Sequence, residues 1–140
     1  TGHVETDTLN VSGLSTFVGN IDASGVTVTG GTVNDTAGNV RELVNNIKTA
    51  AYTLTANDVG ELINITTGGV TVPSSIFSAG QAITIYNSSN NNQTITQAAG
   101  VVMYLVGTNT SGNRTLAQRG VATVLCTGTN NFVIMGGGLS

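Results

Sequence analysis

The stretch that decides the fold is Gln81–Gln97, QAITIYNSSNNNQTITQ. Ile83 and Ile85 alternate with Thr84 and Tyr86, and Ile95 lies between Thr94 and Thr96. A period of two sets the isoleucines on one face of a pleated strand and the hydroxyl-bearing residues on the other, so each run buries one side and presents the other. The SSNNN between them carries no apolar residue and consists of turn formers. Two half-buried strands joined by a polar loop are the expectation here, not a helix.

The same pattern continues outward. From Ala51 on, strands are expected near 51–55, 61–66, 69–73, 81–87, 92–97, 101–106, 114–117, 120–126 and 131–135, with Gly, Asn, Ser or the single Pro73 at the breaks. Short strands at this spacing, each apolar on one face, are expected to close their core as a compact β-sandwich or barrel. If consecutive strands alternate in direction, loops 56–60, 73–80 and 98–100 share one end with Arg119. Loops 67–68, 88–92, 107–113 and 127–130 then share the other.

Upstream the pattern changes twice. In Leu9–Val33, LNVSGLSTFVGNIDASGVTVTGGTV, an apolar residue stands two positions before successive glycines: Val11, Phe17, Ala23 and Val28. A rung of this length holds a strand of three or four residues and a turn, with glycine able to take the positive φ of that turn. One copy of such rungs buries almost nothing, so partner chains are the expected source of a core. Residues 36–50, TAGNVRELVNNIKTA, space Val40, Leu43, Val44 and Ile47 as a helix would, with Asn39 and Glu42 in capping positions. That segment is read as a short helix or an extended linker. The expected organisation is therefore fibre-shaft repeats over 1–35, a linker or short helix over 36–50, and a β head over 51–140.

Composition narrows the function. Only 8% of the residues are charged, against roughly 25% in an ordinary soluble domain, while 39% are apolar, which argues for a folded chain with a neutral polar surface. Arg41, Lys48, Arg114 and Arg119 are the only cations and the net charge is -3, so no basic stripe exists for nucleic acid. No apolar run approaches the roughly 18 residues of a membrane-spanning helix. The lone Cys126, in VATVLC, excludes an internal disulfide and reads as a small buried strand residue.

Catalytic constellations do not assemble. The single histidine, His3, leaves a Ser-His-Asp triad without a base in a packed site. One His and one distant Cys make no metal site within one chain; only in a trimer could three copies of His3 or Asp7 near an axis meet an ion. TGG at 29–31 and GGG at 136–138 lack the following lysine of a phosphate loop. Asp58 and Glu61 in TANDVGEL are the nearest approach to a carboxylate pair. They read better as a turn, with Asp58 accepting backbone N–H groups, Gly60 left-handed and Glu61 reaching solvent. No enzyme activity, metal or cofactor is expected.

The run AAYTLTANDVGELINITTGGVTVPSSIFSAGQAITIYNSSNNNQTITQ, with GVVMYLVGTNTSGNRTLAQRGVATVLC and NFVIMGGGLS after it, resembles the C-terminal domain found in tail fibre and other tail structural proteins of bacteriophages that infect marine cyanobacteria. The resemblance covers about residues 36–140. LNVSG, STFVGN and ASGVTVTG resemble fibre-shaft repeats more loosely. What this implies is an all-β homotrimer, its shaft an intertwined β-prism or triple β-helix with Val11, Phe17 and Val28 inward, and its head at the distal, extracellular end of the virion's tail fibre. The implied role is attachment to a host surface glycan such as lipopolysaccharide, or to an outer membrane protein. The implied alternative is a trimerisation and folding cap, with receptor binding elsewhere.

Amides, hydroxyls and flat aromatic rings suit sugar recognition. Candidate receptor contacts are therefore Asn90, Asn91 and Asn92 in NSSNNN, Asn109 and Asn113 in GTNTSGN, Asn130 and Tyr104. Loop parity places the Asn-rich loops toward the shaft, whereas composition favours them as the contact surface, and we assign contact to them on composition. Arg114 or Arg119 is expected to pair across a subunit boundary with Asp58 or Glu61, or else to be an ordinary surface arginine.

Overall fold

The structure, a computed structural model, describes residues 33–35 and 38–140. The chain divides into two units, 1–31 and 32–140. The shaft expectation, with Val11, Phe17 and Val28, lies outside the described residues, as do His3 and Asp7.

The described chain is all-β. A two-residue hairpin, β1 (Asn34–Asp35) with β2 (Gly38–Asn39), precedes β3 (Asn45–Lys48), β4 (Tyr52–Thr53), β5 (Leu62–Ile65), β6 (Val70–Val72), β7 (Ala82–Asn87), β8 (Gln93–Gln97), β9 (Val102–Leu105), β10 (Arg114–Gly128) and β11 (Asn131–Leu139). The segment 45–48 is thus an edge strand, so of the two readings of 36–50 the short helix is corrected and the extended chain is the nearer. Asn45 and Asn46 are poor helix formers, and β3 instead satisfies its backbone by pairing with β5.

Strands next to each other in sequence do not pair between β3 and β8. β3, β5 and β7 form one parallel ladder, and β4, β6 and β8 a second. The chain climbs as a stack of arches, each strand of the first layer turning over a short crown into the second layer. The crowns at 49–51, 66–69 and 88–92 lie one above another: Thr66 donates its N–H to the Lys48 carbonyl, and Ser88 to that of Ile65. Gly68 shows how tightly they stack. Its φ is +86°, and a Cβ there would lie 2.2 Å from the Ala51 nitrogen.

The long hairpin β10–β11 joins the layers into a nearly closed, barrel-like sheet. Arg114–Leu116 pairs with Ile95–Gln93 of β8, then the strand bends and Val121–Leu125 pairs with Tyr86–Ala82 of β7. β11 follows along the other edge of β10 and takes β9 as a parallel neighbour on its own free side. A strand that changes layers needs a bend, and this one has Arg119 at φ 63° with a register shift between Leu116 and Val121.

Alternation then fills the interior. Ile63, Ile65, Ile83, Ile85, Ala122, Val124, Phe132 and Ile134 enter it from the first layer, and Val70, Val72, Ile95 and Leu116 from the second, all buried. Phe77 meets Phe132 edge to face at 6.1 Å between centroids. Cys126 is buried among them, as its sequence context implied. The outward face of the second layer is a threonine lattice, with Thr53 beside Thr71, Thr71 beside Thr96, and Thr94 beside Thr115.

Candidate functional site

Every loop position follows from this winding. The crowns at 49–51, 66–69 and 88–92 share their end with the 117–120 bend, because Arg119 Nη1 donates to the Ser88 carbonyl at 2.7 Å. Loops 54–61, 73–81, 98–101 and 128–130 lie opposite, tied by the Ser75 N–H to Asn130 Oδ1 bond at 2.6 Å and by the Gly80 N–H to Cys126 O bond at 2.8 Å. Strict alternation of ends therefore holds as far as Val106 and fails afterwards. Residues 107–113 fold back along β9, with Leu105 N–H on Thr110 O and Gly112 N–H on Met103 O, and supply an uncounted return pass. Arg119 and loop 127–130 exchange ends as a result.

The receptor-contact candidates fall into three places. Asn90, Asn91 and Asn92 stand exposed on the 88–92 crown. Buried Asn87 lies beneath it, donating through Nδ2 to the carbonyls of Asn91, Leu116 and Ala117 and accepting from Ser89 N–H and Oγ–H. Asn130 lies at the opposite end, its side-chain oxygen engaged by Ser75. Tyr104, Asn109 and Asn113 gather around β9 and its returning loop, where Asn113 Oδ1 accepts the Gln97 N–H.

That third place is where an exposed aromatic ring borders a depression. Tyr104, 38% exposed, borders a shallow depression of about 350 Å³ with Leu105, Val106, Gly107, Thr108, Asn109 and Val133. Val106 is 50% exposed, so the floor is apolar while Asn109 and the Thr108 loop provide a polar rim. Thr108 Oγ is itself anchored on the Leu105 carbonyl at 3.0 Å, which holds the loop in place. Val106 and Val133 were not singled out in the sequence. The signal was an apolar residue at the end of a strand that runs straight into a polar loop.

Larger or narrower depressions do not combine these features. One of about 500 Å³ between 75–79 and 128–130 has Phe77 withdrawn into the core and Asn130 already bonded. One of about 190 Å³ is lined by Gly38–Val40, Glu42, Val44 and Val59–Glu61, without an aromatic ring.

Arg114 and Asp58 prove to be internal residues. The Arg114 guanidinium is buried in the seam beside the returning loop, where Nη1 donates to Asn113 O and Nη2 to Thr110 O. Asp58 is 1% exposed. Its carboxylate accepts from Thr55 N–H at 2.6 Å, Thr55 Oγ at 3.0 Å and the Tyr52 hydroxyl at 3.0 Å. Both groups are thus engaged within their own chain, and Arg114 is not an ordinary surface arginine. Glu61 differs from expectation too: Oε2 accepts from Asn46 Nδ2 at 2.9 Å instead of reaching only water.

Together Asn46, Lys48, Tyr52, Asp58 and Glu61 form a polar plug over the open end of the arch stack, with Lys48 Nζ 3.8 Å from the centre of the Tyr52 ring. A stack of rungs must end somewhere, and a hydrogen-bonded lid shields the last apolar layer from water. No group of three or more His, Cys, Asp or Glu suited to a metal ion occurs among the described residues. No family model matches the chain, and no curated protein or solved structure is detectably similar to it.

Proposed function

We propose that residues 32–140 are the host-contacting head of a homotrimeric phage tail fibre, docking on a cell-surface glycan or, failing that, on an outer membrane protein. The observation that carries this reading is the Tyr104 depression, where an exposed ring and an apolar floor adjoin the Asn109 amide. A sugar presents one weakly apolar face and a fringe of hydroxyls. A flat ring beside donors and acceptors is complementary to both. The expectation drawn from the residue order of 36–140 is the same. A shallow site suits such a role, because three weak contacts on one rigid tip raise avidity without a deep pocket.

The test is binding of the full chain to host cells and to their purified surface glycan. Tyr104→Ala and Asn109→Ala are each expected to weaken binding by about tenfold or more, the equivalent of about 1.4 kcal/mol per site, while Thr53→Ala on the threonine lattice leaves it unchanged. Equal binding by all three variants and the parent would overturn the site. The cap alternative draws on a different feature, the uncharged outer face of the first layer.

A further inference from the structure

We propose that the sugar seated on the Tyr104 depression is a neutral 6-deoxyhexose, a ring that carries a methyl group where an ordinary hexose carries a hydroxymethyl. The inference rests on the glycan reading above and names the class of sugar which that reading leaves open.

The depression is built by a tight turn at the end of β9. Thr108 N–H bonds the Leu105 carbonyl at 3.1 Å, Thr108 Oγ bonds it at 3.0 Å, and Gly107 has the positive φ of 75° that such a turn requires at its third residue. Val106, within the turn, donates its N–H to the Ile134 carbonyl, and register puts Val133 of β11 beside Tyr104. At about 350 Å³ the depression lies near the lower end of the roughly 300–1,000 Å³ of small-ligand sites, which is room for one sugar unit.

Its polar resources are few. Thr108 Oγ is committed within the loop, donating to Leu105 O and accepting the Thr110 N–H at 3.1 Å. The side-chain groups left for a ligand are the Tyr104 hydroxyl and the Asn109 amide, neither of them bonded to another described residue. Leu105, Val133 and the half-exposed Val106 offer hydrocarbon alone. None of the seven lining residues is charged, so an acidic or phosphorylated sugar would give up hydration without meeting a counter-charge.

That inventory selects among neutral sugars. A hexose stacked on a tyrosine ring presents hydroxyls along one edge and its C5 substituent on the other. The Asn109 amide, with donor and acceptor side by side, suits the hydroxyl edge. The other edge then meets valine, where a hydroxymethyl O–H loses water and finds no partner, while a methyl group gains contact. An N-acetyl group brings a methyl too, but with an amide N–H and a carbonyl for which the valine edge has no partner.

The experiment is NMR titration of the full chain with methyl glycosides in two matched pairs, L-fucose with L-galactose and L-rhamnose with L-mannose, each pair differing only in the oxygen at C6. In at least one pair the deoxy sugar is expected to bind about tenfold more tightly. That is less than the roughly hundredfold discrimination of an enclosed apolar pocket, because this one is open on one side. Val106→Thr, which puts a hydroxyl into the floor at an exposed position, is expected to bring the ratio to about threefold or less, while Thr53→Ala on the threonine lattice leaves it unchanged. A parent ratio within about threefold in both pairs, a preference that survives Val106→Thr, or tighter binding of methyl N-acetylglucosaminide than of either deoxy sugar overturns the inference and leaves the glycan reading standing. Binding of none of these sugars overturns the inference as well. The glycan reading falls with it if Tyr104→Ala also adheres to host cells as the parent does.

Discussion

Gly136→Ala is expected to destabilise residues 32–140 by about 3 kcal/mol, the upper range for forcing a methyl group into a packed site. Gly137→Ala, one residue on, should stay within about 0.5 kcal/mol of the parent. The difference lies in the approach of β11 to the bent part of β10. A Cβ on Gly136 would lie 2.0 Å from the Val121 carbonyl oxygen and 2.6 Å from the Ala122 Cα, whereas one on Gly137 meets nothing within 4 Å. Both obstacles are backbone and cannot swing aside. Relief would require moving β11 away from β10, which weakens the pairing Ala122↔Gly136 and Val121↔Gly137 where β10 passes from one layer to the other. Urea titrations of both variants measure the effect; equal midpoints would show that the bend is not under this constraint.

Asp58→Ala is expected to cost about 1–3 kcal/mol, because it removes a buried carboxylate that accepts from the Thr55 N–H, the Thr55 hydroxyl and the Tyr52 hydroxyl in a partly buried place. For a unit of this size that corresponds to a fall in Tm of about 4 °C or more per kcal/mol. The plug predicts coupling as well as loss. Tyr52→Phe alone should be milder, and the double variant should lose less than the sum of the two, since removal of the carboxylate already ends the bond to Tyr52. Additive losses would show that Asp58 acts through Thr55 alone. Because the plug covers the first rung, amide exchange should quicken first in β3 and β4 and last in β7 and β10.

Several elements were legible from residue order. The strands beginning at Ala51 follow from alternation, and Ile83, Ile85 and Ile95 are buried as their period of two requires. Asp58 serves as a turn acceptor and Gly60 has φ +79°, both as the residues of TANDVGEL suggest. Residues 114–117 and 120–126 read as two strands and are one bent strand, since Arg119 and Gly120 look like a break although pairing with β11 continues past them. The segment 45–48 was legible only as one of two alternatives. Val40, Leu43, Val44 and Ile47 fit a helical spacing, Asn45 and Asn46 favour an extended chain, and the exposed edge of β5 decides for a strand.

The binding candidates divide in the same way. Tyr104 and Asn109 stand out in sequence as an aromatic and an amide amid neutral residues, and the fold brings them to one depression. Asn90–Asn92, Asn113 and Asn130 stand out equally by composition, yet they lie on a crown, in a loop anchor and at the opposite end. Composition carries no information about which loops share a surface.

What the amino-acid order determined by itself was local: which residues extend, which face of each strand is apolar, where the chain must turn, and that almost no charge is available. Those properties depend on side-chain type and a two-residue period. Only the tertiary structure decided that alternate strands pair in parallel, that residues 107–113 return along β9, and that Arg114 and Asp58 face inward. Each of these depends on contacts between residues far apart in the chain, where hydrogen-bonding partners compete on nearly equal terms and packing selects among them.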